Sequence, residues 1–165
     1  MKTTRVIAWI LAWFNLIFWG IPVISSLIQS LASPNPLILV ILVFFAAIPL
    51  NSFAALQLHR SIRNPQVKLN HQTPVGIRFV GTFALCVGGI IAVSGIIITQ
   101  SAKDLLPVWK EQMAQYKQPE SMATVGGLQD MGILMVVLGL AAIVNVVLNM
   151  RLLRWYYLVN RSDVS

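Results

Sequence analysis

Apolar residues fall into four long blocks along the chain, at 6–28, 37–58, 78–99 and 131–153. At about 1.5 Å of rise per residue, each block makes a helix long enough to cross a hydrocarbon layer about 30 Å thick. No acidic or basic residue stands in the central part of any block. Between the first two, Ser33-Pro34-Asn35-Pro36 is a strong breaker. Thr73-Pro74 predicts an N-cap followed by proline at the first helical position of the third block, and Asp130 is placed to cap the fourth. The pattern predicts an all-α integral membrane protein, a bundle of four transmembrane helices within one membrane domain covering 1–165.

The first block has a charged start and a Ser30-Leu31-Ala32 end, the outline of a cleavable leader. Its apolar stretch is too long for one, and it carries Trp9, Trp13, Trp19, Pro22 and Asn15. It is expected to remain as the first span.

Finer patterning appears on one face of each helix. In the third block Gly81, Ala84, Gly88, Ala92 and Gly95 recur at spacings of three and four, a stripe that lets two helix backbones approach closely in lipid. Weaker stripes run through Ala8, Ala12, Asn15 and Pro22, through Ala47, Asn51 and Ala54, and through Gly139, Ala142, Asn145 and Asn149. Asn15, Asn51 and Asn145 fall at similar depth, slightly to one side of the middle of their blocks. An unpaired amide in hydrocarbon costs several kcal/mol. These side chains are therefore expected to face one another or buried backbone, where carbonyls freed by Pro22 and Pro49 are candidate acceptors. One reading is interhelix glue; the sharper one is a polar pocket or relay. The stripe of the third block either faces inward and holds the bundle or faces outward and meets a partner.

The segment 100–130 holds a short amphipathic helix in which Leu105, Val108, Trp109, Met113 and Tyr116 share a face, with Asp104 as its N-cap and Pro107 in its first turn. It is expected to lie on the outer leaflet, cover the bundle mouth or dock a partner. Residues 118–129, with Pro119 and Gly126-Gly127, look like a flexible return to the membrane.

Composition agrees. The chain is 57% hydrophobic and 10% charged, with a mean hydropathy of +0.77, whereas ordinary soluble domains are about 25% charged. The net charge of +7 is better read by position than in total. Nine of the twelve basic residues precede the first block, lie at or between the facing ends of the second and third (59–78), or stand at or beyond the end of the fourth, with Asp163 as their only acid. By the positive-inside rule this predicts both termini in the cytoplasm of a multi-pass plasma (inner) membrane protein. The basic loop 59–77 attracts anionic lipid, and nucleic acid is not an expected partner.

Candidate chemistry is sparse. The single cysteine, Cys86, excludes an internal disulfide or a Cys-x-x-Cys pair and reads as a small packing residue. His59 and His71 lie in the basic loop and read as interfacial and solvated rather than as haem or metal ligands. No acidic or basic residue sits in the central part of a span, as proton-coupled transport usually requires, and no HExxH, GxSxG or phosphate-loop motif is present. No cofactor is expected. The leading expectation is a non-enzymatic accessory or structural subunit that packs, beyond the lipid bilayer, against other membrane subunits or a second copy. The alternative is a transporter or channel component built on the Asn layer. An enzyme of lipid or quinone chemistry would need a cleft near His59 or His71.

Overall fold

The structure is a computed structural model that describes residues 2–32, 36–64, 66–115 and 124–161. Those residues are helical or in short turns, with no strand among them. The helices are α1 (Lys2–Ala32), α2 (Pro36–Arg63), α3 (Thr73–Gln100), α4 (Ala102–Gln115) and α5 (Val125–Arg161). All but α4 are long and apolar enough to cross a membrane, so the chain has the make-up of a multi-pass membrane protein.

The helices outrun the apolar blocks, helped at the ends of α1, α2 and α5 by Lys, Arg and Gln, which are good helix formers. At 37 residues α5 is about 55 Å long, well beyond the hydrocarbon. Its start corrects the expected cap. Thr124 Oγ1 accepts from the Gly127 N–H at 3.0 Å, which places Asp130 inside the helix. Residues 125–129 are thus helical despite Gly126-Gly127, and 116–123 lie outside the described residues. Thr73 is likewise the first residue of α3 and not its cap: Gln72 takes that place without a side-chain bond. The buried Thr73 hydroxyl instead donates to Gln57 Oε1 at 2.7 Å, tying α3 to α2. One wide π turn, Gly76–Val80, follows before the regular helix resumes at Gly81.

Packing divides the chain into two compact units, Met1–Gly88 with Ala141–Ser165, and Gly89–Leu140. In the first, α1 packs on α2 and α2 on the opening turns of α3. Its core gathers Ala8, Ala54, Leu58, Ile77, Leu152 and Leu153, flanked by Ile62, Leu69 and Tyr156.

In the second unit, Ser101 stands before α4 and its carbonyl accepts from the N–H groups of Asp104 and Leu105, each at 3.0 Å. Asp104 therefore lies in the first turn, where its charge suits the helix dipole, and is not the N-cap. Ala102 and Met113 are buried, with Leu105, Leu106 and Trp109 half-buried. Val108, expected on the same face, is 54% exposed. It sits three residues from Leu105 on the side away from Leu106, so the covered stripe turns past it. Tyr116 lies outside the described residues.

Candidate functional site

Within the first unit, polar side chains collect where helices of apolar sequence meet. Asn15, Asn51, Ser52, Asn145 and Asn149 are at most 1% exposed. Asn145 and Asn149 are one turn apart on α5, which lets the Asn149 amide donate to Asn145 Oδ1 at 2.8 Å. Asn145 Nδ2 donates across to Ser52 Oγ on α2 at 3.1 Å, and the Ser52 hydroxyl in turn donates to the Ile48 carbonyl at 2.9 Å. The result is a directional string linking α5 to α2, in which each bond polarises the next. Asn149 also stands beside His59, whose charged neighbour is Arg5. His59 is only 8% exposed, against its expected place in a solvated loop. It follows Ser52 by seven residues, two helical turns, so α2 carries it onto the same inward face. His71 is exposed.

Asn15 donates to the Leu11 carbonyl at 2.9 Å, one turn back, and reaches the Ala141 carbonyl at 3.5 Å. The carbonyls freed by Pro22 and Pro49 are not its acceptors. Several buried atoms on this layer have no hydrogen-bond partner: Asn15 Oδ1, both amide atoms of Asn51, Asn149 Oδ1 and His59 Nε2. A buried polar group left so costs about 1–3 kcal/mol. Asn145 thus joins helices, while Asn51 joins nothing.

The small-residue positions of α3 (Gly81, Ala84, Gly88, Ala92 and Gly95) are all buried, as are Gly139 and Ala142 on α5. In the first unit, a Cβ on Gly81 would stand 3.1 Å from Asn51 Oδ1 and 3.2 Å from Val146 and Met150. In the second, a Cβ on Gly95 would stand 2.5 Å from the Gly132 carbonyl oxygen and 2.8 Å from the Val136 nitrogen. Gly132, which precedes the Gly139 stripe by seven residues, is the partner that the sequence pattern left out. Cys86 points to the exposed surface and does not pack inside.

A pocket of about 670 Å³ opens between the N-terminal end of α1 and the C-terminal end of α2. Arg5, His59, Arg60 and Arg63 contribute its polar wall, and Trp9, Trp13 and Leu56 its apolar one. The Arg5 guanidinium lies 4.2 Å above the Trp155 ring, a cation–π contact that ties the start of α1 to the end of α5. A second pocket between the same two helices, lined by Trp19, Pro22, Ile41 and Phe45, is apolar. A third, of about 490 Å³, is bordered by Arg78, Arg154 and Tyr157. None of these three is lined by Asn15, Asn51 or Asn145. Among the described residues no three His, Cys, Asp or Glu side chains come together as a metal site. Compared with protein families, with characterised proteins and with solved structures, the chain matches none of them.

Proposed function

We propose that the chain is a non-catalytic membrane module, an accessory or structural subunit that works by packing its apolar surface against another membrane protein or a second copy. The observation that carries this reading is the uneven covering of the spans. The most apolar window of α1 is 22% buried, half the 44% of α2. Small and amide-bearing positions are turned inward, so they leave no outward seam. What α1 offers outside is a broad apolar face that includes Ile10, Phe14, Ile17 and Phe18, each at least 40% exposed. Phe14 and Phe18 stack at 5.5 Å, which stiffens part of that face. In this reading the basic ends of the helices lie in the cytoplasm and the membrane is the plasma (inner) membrane, as the charge asymmetry argues.

The test is a photo-crosslinking residue at Ile17 in native membranes. A discrete protein adduct, absent when the same residue is placed at buried Ala12, is the expected result. Adducts to lipid alone at Ile17 would remove the support.

A specific observation favours a second reading, a transport component: the unpartnered amide and imidazole atoms of Asn51, Asn149 and His59. Such atoms suit a passing polar solute. It requires water to reach them. In a Cys86→Ser background, Asn51→Cys would then react with a charged thiol reagent; the packing reading expects no reaction, because Asn51 is fully buried.

A further inference from the structure

We propose that the pocket between the N-terminal end of α1 and the C-terminal end of α2 binds one anionic glycerophospholipid. Its phosphate is held by Arg5, Arg60 and Arg63, and its acyl chains lie along Trp9 and Trp13. The proposal stands apart from the packing role, since a lipid site serves a subunit or a transporter equally.

The pocket changes polarity along its length. Arg5, Trp9 and Trp13 lie on one stripe of α1 at successive turns, covering about 12 Å from the cationic end to the apolar one. Leu56, Arg60 and Arg63 run the same gradient on the antiparallel α2 over about 10 Å. An amphiphile with a charged head and apolar tails matches both walls at once; a free anion matches only the rim. The volume of about 670 Å³ lies within the usual range of ligand pockets.

Its charge is of one sign. Among the described lining residues there are three arginines and no carboxylate. Guanidinium groups bind phosphate oxygens through two parallel hydrogen bonds, a geometry an ammonium lacks. Polar atoms of the lining also lack partners. His59 Nε2 and Arg5 Nε are buried without a hydrogen-bond partner, and both belong to lining residues. The Trp155 ring holds Arg5 in place from one side. A merely diffuse attraction of basic loops to an acidic membrane requires none of these features.

The experiment is native mass spectrometry of the full chain, purified in mild detergent and titrated separately with dioleoylphosphatidylglycerol, dioleoylphosphatidylcholine and inorganic phosphate. The expected result is one phosphatidylglycerol per chain at concentrations where phosphatidylcholine does not bind, with no displacement by millimolar phosphate. The double variant Arg60→Gln, Arg63→Gln weakens this at least tenfold. Both side chains are exposed, so the core is untouched. Lys68→Gln with Arg151→Gln removes the same charge from exposed positions outside the pocket and changes binding less than twofold. Trp13→Ala weakens the dioleoyl lipid more than a dihexanoyl one. Equal binding of the two lipids, or equal weakening by the two double variants, would overturn the site. Displacement by phosphate would instead assign it to a free anion.

Discussion

Gly95→Ala lowers the melting temperature of the detergent-solubilised chain by roughly 6–12 °C. The new methyl group would stand 2.5 Å from the Gly132 carbonyl oxygen, 2.8 Å from the Val136 nitrogen and 2.9 Å from Met135 Cβ. Two of those neighbours are backbone, which does not rotate away. Overpacking costs about 1–3 kcal/mol where side chains give way, and this position belongs at the upper end. A loss of about 3 kcal/mol in a chain this size gives the stated shift. Gly132→Ala has the same effect, because its Cβ would press on the Thr99 hydroxyl and lie 2.7 Å from the Gly95 carbonyl oxygen. Gly89→Ala is the internal control. Nothing lies within 4 Å of a Cβ there, so a helical alanine raises stability by about 0.5–1 kcal/mol. Thermal melts followed by circular dichroism read all three. Equal melting temperatures for Gly95→Ala and Gly89→Ala would show that the two backbones are not in contact.

Asn145→Leu lowers stability, whereas Asn51→Leu, the identical change at neighbouring depth, leaves it unchanged or raises it. Asn145 both donates to Ser52 and accepts from Asn149. Side-chain bonds in a membrane contribute about 0.6 kcal/mol each, here one across to α2 and one within α5, and stranding the Asn149 amide adds the cost of a buried donor, for a loss of about 2 kcal/mol. Asn51 makes no hydrogen bond with either amide atom. Leucine has the same branching but bulkier ends; it removes two unpaired groups worth about 1–3 kcal/mol, which offsets its tighter fit, so stability holds or rises. Unfolding in graded denaturant separates the two. A loss at Asn51 matching that at Asn145 would mean that Asn51 does join helices. A stable Asn51→Leu chain that loses activity would favour the transport reading over the packing one.

Much of this was legible in the chain because helices in lipid keep a strict period. Spans followed from the apolar blocks, and the stripe from Gly81 to Gly95 from spacings of three and four. Other features depend on which turn a helix begins at, and that is a local competition between caps. Asp130 and Thr124 both had the chemistry to cap α5; the helix took the earlier one and carried two glycines with it. His59 read as a loop residue because the apolar block ends at Leu58, yet the helix continues to Arg63 and the two-turn spacing from Ser52 brings it inside. Gly132 stood at the edge of its block, and only the crossing of two helices reveals that it meets Gly95. The cationic pocket was within reach of the sequence. A short connection makes α1 and α2 an antiparallel pair, so Arg5 must come near Arg60 and Arg63.

The packing role rests on what α1 touches in its own membrane. Extraction from native membranes into polymer-bounded lipid discs, followed by weighing the intact particles, addresses it directly. The expected result is a complex in which the 18.3 kDa chain stands at fixed ratio to a second membrane protein or to another copy of itself, and which dissociates when Ile17→Arg breaks the outer face of α1. A lone chain carrying only lipid would contradict the proposal.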